Sequence, residues 1–241
     1  MSDPKTVGIV AICKDENEYI QEWIDHHKNL GFNKFVIGDN ESKVPIQIDD
    51  PCVTVIPWTD NEIGSQMRFY YHANNFFKPV DWVAAIDIDE FICLTPVIKS
   101  IQKFISSRTY GWESVSAFGL SWRMYGYKGD KEGRVPIEEY KDWYPDQHIK
   151  TLYRVKDCAA FYDPHHIYCL GDYINEWGQP IKGPHNEHTS TLIWIKHTWT
   201  RSLPEFLEKI KRGSGDKVVR SYSEANYHEY QSKLVNRDYE P

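Results

Sequence analysis

The sequence lacks any apolar run approaching the roughly 20 residues that a membrane-spanning helix needs. Its start, Met1-Ser2-Asp3-Pro4-Lys5, shows no charged-then-apolar leader and passes straight into a strand-like segment. Cysteine is scarce: five residues, at 13, 52, 93, 158 and 169, odd in number and never spaced C-x-x-C. That pattern argues against a disulfide framework and against structural zinc, and it fits a reducing cytoplasm. Positive charge is in deficit, 28 Lys and Arg against 35 Asp and Glu for a net −7, which argues against a general nucleic-acid binder. No repeat, low-complexity tract or linker divides the 241 residues, so one domain with a sizeable core is expected. The 41% hydrophobic and 26% charged residues are ordinary for a globular chain, not a disordered one.

What is plentiful is aromatic: nine Trp, sixteen Tyr and ten Phe. These serve either a bulky core or a surface that stacks on flat ligands and sugar faces, and composition does not choose. Along the chain, Thr6–Ile12, Phe35–Ile37, Val53–Ile56 and Trp82–Ile86 read as short buried strands. Between them, Tyr19–Leu30 places Ile20, Trp23, Ile24, His27 and Leu30 on one helical face, stopped by Gly31, and Ser65–Phe76 reads as a second helix. This alternation predicts an α/β fold with a mixed, mainly parallel sheet flanked by helices, with ligands at the carboxyl ends of the strands. Three polar clusters fall at those ends: Lys14–Glu18, Asp39–Ser42 and Asp87–Glu90. Further on, Val97–Ser107 and Leu203–Arg212 read as helices, Ser114–Leu120, Ile149–Val155 and Leu192–His197 as strands, and 122–143 as an irregular loop. In that loop Trp122, Tyr125, Tyr127, Trp143 and Tyr144 offer stacking surface for an acceptor sugar, or clamp the loop on itself.

The strongest single motif is Asp87-Ile88-Asp89, where the chain leaves an apolar strand. Two carboxylates flanking one residue can hold a hard divalent cation that completes its shell with phosphate oxygens, although such triplets also occur as plain surface turns. Cys13-Lys14-x-Glu16-Asn17-Glu18, Glu22-Trp23-Ile24-x-x-His27, Gly31 and Asp39-Asn40-x-Ser42 open the chain. Gln66 with Tyr70 or Tyr71, Trp82, Asp87-Ile88-Asp89-Glu90-Phe91-Ile92, His148-Ile149-Lys150 with Arg154, and Pro164-His165-His166 follow. The series ends in Ile195-Lys196-His197, Arg201-Ser202, Glu205-Phe206, Lys209 and Arg212-Gly213. In this order, over residues 6–213, the chain resembles GT-A glycosyltransferases of the family-2-like and family-92-like group. It departs from that pattern in having Asp15 inserted in the first motif and Trp199 where the group usually has tyrosine.

The resemblance implies a single GT-A domain, with residues 1–95 binding the nucleotide sugar, 96–220 forming the acceptor half and a C-terminal flap, and 221–241 a polar tail. It implies transfer of a sugar from a nucleotide-diphosphate donor, a UDP-sugar first, to a hydroxyl of a glycan or glycolipid acceptor. Carried over residue by residue, Asp39 would contact base or ribose, Asp87 ribose or metal, Asp89 the cation, and His197 the same cation. Imidazole suits manganese better than magnesium, so Mn2+ is preferred. Lys209 and Arg212 would neutralise the leaving diphosphate, and Lys14, Gln66, Lys150 and Arg154 would line the donor pocket. Charge patterning agrees: Lys196–Arg220 carries a net +4 and the rest of the chain −11, a basic island that could instead touch anionic lipid at the membrane surface. Direct transfer with inversion needs a base, for which Asp172 and Glu176 are the candidates. The setting implied is a bacterial cytoplasmic enzyme of lipopolysaccharide or capsule synthesis. A nucleotidyltransferase or phosphohydrolase, and a sugar-binding module without catalysis, remain the rival readings.

Overall fold

The computed structural model describes residues 6–77, 82–129, 133–213 and 221–235. Lys217 and Arg220 of the basic island, and the end of the polar tail, lie outside these residues. The first half follows the sequence pattern: β1 (Val7–Cys13), α1 (Ile20–Asn29), β2 (Lys34–Asp39), β3 (Val53–Pro57), α2 (Ser65–Ala73) and β4 (Trp82–Ala85). β1 pairs in parallel with β2 and β4, and β2 with β3, so their carboxyl ends form one edge carrying Cys13, Asp39, Pro57 and Ala85. β1, β2 and β4 are buried because their runs are apolar on both faces, with α1 and α2 supplying cover through Trp23, Ile24, Phe69 and Tyr70, while β3 at the edge is half-buried.

The second half contributes β5 (Glu90–Leu94), α3 (Ile101–Thr109), β6 (Val115–Tyr125), β7 (Trp143–Arg154), a small hairpin of β8 (Cys158–Phe161) and β9 (Ile167–Cys169), β10 (Asp172–Ile174) and β11 (Ile193–His197). Two helices follow, α4 (Leu203–Arg212) and α5 (Glu224–Ser232). α4 matches the amphipathic reading to the residue, because Ser202 and Glu205 close a capping box at its start and Gly213 ends it. The nine-stranded sheet runs β3-β2-β1-β4-β7-β6-β11-β5, with β10 against β6. Three of its pairings are antiparallel, β4–β7, β6–β7 and β5–β11, so the expected mixed, mainly parallel sheet is present. The stretch read as irregular is corrected in part. Trp122 and Tyr125 lie in β6 and Trp143 and Tyr144 in β7, where Tyr125 pairs with Trp143 and Met124 with Tyr144.

The sheet cannot be flat. Four strand-to-strand steps separate β4 from β5, about 19 Å across a flat sheet. The chain from Ala85 to Glu90 reaches at most ~18 Å fully stretched, and it is folded into a turn by the Glu90 N–H on the Asp87 carbonyl at 3.1 Å. The sheet therefore curls until β4 and β5 approach, and the turn 86–89 closes the rim. Residues at the same edge of β6, β7 and β11 consequently face that turn.

Candidate active site

The turn is held from below by α1. The Trp23 indole N–H donates to the carbonyls of Asp87 at 3.1 Å and Glu90 at 2.8 Å. His27, fully buried, donates from Nδ1 to the Trp23 carbonyl at 2.8 Å and accepts the Ile92 N–H at Nε2 at 3.1 Å. Both ring nitrogens are thus committed, which makes His27 a packing residue as its place on the apolar face suggested. Burial drives its pKa well below the ordinary value, so it is neutral.

Asp87 and Asp89 diverge from the turn. One Asp87 oxygen accepts from Gln66 Nε2 at 2.7 Å and Tyr70 Oη at 3.3 Å, and the other meets Lys150 Nζ at 2.8 Å. Lys150 is fully buried and also lies 3.5 Å from Glu90 Oε2. Burial alone would deprotonate it, but Asp87 and then Glu90 outweigh that and hold its pKa above the ordinary value. Burial likewise opposes ionisation of Asp87, and Lys150 reverses the balance so that its pKa is lowered. Glu90 sits beside the same lysine yet its pKa is raised well above normal, by burial and by the carboxylates of Asp87 and Asp89. The distances resolve the conflict: the ammonium is nearer Asp87, and its one charge cannot satisfy both acids.

Asp89 faces the other way. Its Oδ2 takes the Lys209 ammonium from α4 and lies 3.5 Å from His197 Nε2 at the end of β11. Burial raises its pKa, but Lys209 and His197 overcome this and leave it well below the usual carboxylate range. His197 is itself lowered by burial, an effect only partly countered by Asp89. Its Nδ1 is buried without a hydrogen-bond partner, 3.9 Å from the equally unpartnered Glu90 Oε1.

Among the described residues no group of three or more His, Cys, Asp or Glu side chains is already arranged around a metal-sized point. The donor chemistry nevertheless fits a divalent cation at one place. A carboxylate oxygen and an imidazole nitrogen 3.5 Å apart can both reach one ion at the usual bond lengths of about 2.0–2.2 Å, provided the lysine now on that oxygen gives way. Asp87 fits less well, since both of its oxygens already serve Lys150, Gln66 and Tyr70.

The remaining expected site residues divide. Gln66, Lys150 and Lys209 converge on the two aspartates. Asp39 lies at the right edge, but its two oxygens accept the N–H groups of Ser42 at 3.1 Å and Ile46 at 2.9 Å and so shape the loop after β2. Lys14 follows β1 and makes no side-chain hydrogen bond or ion pair among the described residues. The inserted Asp15 adopts a left-handed φ of 54°, a region aspartate enters more readily than most residues. From there its N–H donates to Ser42 Oγ at 2.8 Å and its Oδ1 accepts the Lys43 N–H at 2.7 Å. Arg212 does not reach Asp89: it clamps Glu16 at 2.7 Å and the Asp15 carbonyl at 3.1 Å, while Arg201 takes the other Glu16 oxygen at 2.8 Å.

Three residues stand elsewhere. Arg154 pairs with Trp82 at the start of β4, at the opposite edge of the sheet, where it bonds the Glu113 carbonyl at 3.3 Å. Asp172 pairs with Val115, five residues before the Lys150 partner Leu120, or roughly 17 Å of strand away from the cluster. Its carboxylate accepts from Trp112 and Ser114, which hold its pKa down, and it faces nothing at the aspartate cluster. Glu176 is buried, and its two oxygens accept three backbone N–H groups, those of Thr191, Leu192 and Ile193, at 2.6 to 2.9 Å. It pins the entry to β11 and is not free to take a proton from an acceptor. Sequence reasoning missed Trp23 and Glu90 as supports of the turn. Both lay inside quoted motifs, but an indole on a helical face reads as core, and a third acid beside a D-x-D reads as its surplus.

No family model matches the chain. Among curated proteins, 146 residues are 23% identical to a glycosyltransferase family 92 protein of Ricinus communis, covering 56% of this chain and 25% of that protein. The chain thus spans a quarter of the length of that relative. Among solved structures, Staphylococcus aureus TarS (residues 1–349) aligns over 62% of this chain and 47% of its own, at 13% identity and a TM-score of 0.39. Glucosyl-3-phosphoglycerate synthase from Mycobacterium tuberculosis, solved with Mn2+, UDP and phosphoglyceric acid, aligns over 77% and 72%, at 12% identity and a TM-score of 0.35. No described helix is long and apolar enough to cross a membrane. In sequence, this chain is distantly similar to a glycosyltransferase family 92 protein.

Proposed function

We propose that the protein is a GT-A-type glycosyltransferase that moves a sugar from a nucleotide diphosphate, UDP first, to a hydroxyl of a cell-surface glycan acceptor, with inversion. The observation that carries this reading is the convergence of Lys209 and His197 on Asp89, beside a separately neutralised Asp87, at the carboxyl edge of the parallel strands. Asp89 and His197 would hold a divalent cation, Mn2+ in preference to Mg2+ because one donor is imidazole. Such a cation would draw charge from the departing diphosphate. Lys209, released from Asp89, would hold a phosphate oxygen. Asp87, its orientation fixed by Gln66, Tyr70 and Lys150, would accept from a ribose hydroxyl. The glycan acceptor, a lipopolysaccharide or capsule precursor on the cytoplasmic face of the membrane, would approach past the basic α4. The distant family 92 similarity and the motif order support this reading over a phosphohydrolase.

A thermal-shift panel of nucleotide sugars and UDP, with and without MnCl2, tests it. Stabilisation by UDP is expected only with the metal, and it should vanish in chelator and in Asp89→Ala. The absence of any metal-dependent shift with every nucleotide tried would refute the donor site.

A further inference from the structure

With Asp172 and Glu176 placed elsewhere, the inverting reaction proposed above has no base among the residues first considered. A different group stands at the rim. His148, in the first half of β7, receives Asp146 Oδ1 on its Nδ1 at 2.6 Å and meets His185 Nε2 with its own Nε2 at 2.7 Å. Backbone bridging between 148 and 185 fixes the pair in register. The Trp122 indole stacks on His148 at 5.0 Å and meets His197 edge-on at 4.2 Å, so the His148 and His197 rings are at most about 9 Å apart. His148 therefore stands one aromatic ring away from the aspartate cluster, and His185 lies one imidazole beyond it on an exposed side chain.

Hydrogen-bond logic fixes the protons. An ionised Asp146 can only accept, and its pKa is lowered because burial, which would raise it, is outweighed by hydrogen bonds from His148. His148 must then carry its proton on Nδ1. With both rings neutral, its Nε2 is left as an acceptor, and His185 donates to it from Nε2. The one imidazole nitrogen left with a free lone pair is His185 Nδ1, on an exposed side chain with no other partner among the described residues. This is the arrangement of an oriented base backed by a carboxylate, extended by one imidazole.

We propose that Asp146, His148 and His185 form the proton relay for the acceptor hydroxyl. In that step the acceptor O–H gives its proton to His185 Nδ1 as its oxygen bonds to the anomeric carbon. The anomeric C–O bond breaks and its electron pair leaves on the diphosphate. His185 passes its Nε2 proton to His148, and the resulting imidazolium lies against the Asp146 carboxylate. Around the pair stand His165, from the loop after β8, with its ring 5.2 Å from His148, and His188, whose Nδ1 donates to the Asp146 carbonyl at 3.1 Å; His197, Tyr144 of β7 and Tyr230 and Lys233 at the end of α5 also interact with Asp146. Burial and Lys150 push His165 down to about 3, so it adds no competing charge at neutral pH.

The inference rests on the donor-site reading, and its test separates the two. UDP release from UDP-glucose, UDP-galactose and UDP-N-acetylglucosamine is measured with MnCl2 and methyl glycosides as acceptors, alongside UDP-induced thermal shift. His185→Ala and His148→Ala should lower kcat by about 100-fold or more while UDP with Mn2+ stabilises them as it does the wild type. Added imidazole should restore part of the His185→Ala rate, which a merely structural role would not allow. Asp146→Asn should retain UDP binding and move the acidic limb of the kcat–pH profile. Nitrogen-15 NMR of the free protein should find the His148 proton on Nδ1, shifted downfield, and Asp146→Asn should abolish that shift. Unchanged turnover in both histidine variants, or His148 protonated on Nε2 alone, overturns the relay and leaves the donor site standing. Failure of the wild type to bind UDP with Mn2+ overturns both.

Discussion

Replacing Glu176 by Gln separates a structural carboxylate from a catalytic one. Its oxygens accept the N–H groups of Thr191, Leu192 and Ile193 inside the protein. Glutamine has a single acceptor oxygen, best turned toward Leu192 and Ile193, so its amide group would confront the Thr191 N–H donor to donor. Thr191 is exposed and its N–H can turn to water, so the lost bond and the loss of charge from the other two together cost roughly 1–2 kcal/mol. For a chain of this size that lowers Tm by roughly 2–8 °C. The assay is thermal unfolding followed by circular dichroism, paired with UDP release well below the transition. The reasoning predicts a lowered Tm with turnover per folded molecule largely kept. An unchanged Tm with abolished turnover would refute it and return Glu176 to the role of base.

Asp172→Asn should leave turnover unchanged, because the side chain lies at the far edge of the sheet; a dead variant in a kinetic assay would contradict that placement. Lys150→Met leaves the buried Glu90 and the partly exposed Asp87 without a counter-ion and should cost somewhat less in urea unfolding than the ~3–5 kcal/mol of a fully buried pair; a cost near zero would show that Lys150 is not their counter-charge. Asp89, with its pKa depressed in the fold, contributes stability that is present above the ordinary value of 3.8 and lost as pH falls through its lower folded value. Asp89→Asn should therefore flatten the acid limb of stability against pH. Glu90 has the opposite sign: its raised folded pKa means stability is lost as pH rises from 4.5 through that value. Glu90→Gln should gain stability relative to wild type with rising pH, and parallel curves for the two proteins would exclude the assignment.

Where local pattern and tertiary demand agree, the sequence was legible. The apolar runs of β1, β2 and β4 and the capped stripe of α4 lie where hydrophobicity placed them. α3 starts at Ile101, not at Val97, because the Ser100 side chain caps it by accepting the Lys103 N–H. β7 was half hidden: after the buried Trp143, Tyr144 to His148 alternates half-buried and exposed residues, includes Pro145, and reads as loop until the long hairpin partner β6 is known. At the site, Asp87, Asp89, His197 and Lys209 were recognisable from chemistry and motif order. The grouping of Asp146 and His185 with His148, itself part of the quoted His148-Ile149-Lys150 motif, was not, since the strand pairing that gathers residues 37 apart leaves no mark in spacing. Asp172 and Glu176 were chosen for chemical type in a loop, and type alone says nothing about which rim of a sheet a loop reaches.

The curl of the sheet has a kinetic consequence. Ala85 pairs with Thr151 and Glu90 with His197, so the short turn between them joins two partnerships that close loops of 66 and 107 residues. Contacts of that sequence separation form slowly, and the turn cannot take its final shape until both strands have docked. The aspartate cluster therefore depends on two long-range pairings being in place together. A ligand bridging Asp89, His197 and Lys209 acts as a keystone across that closure: at a hundred times its Kd it adds about 2.7 kcal/mol to the folded state, and slowed unfolding is where its binding would first be felt.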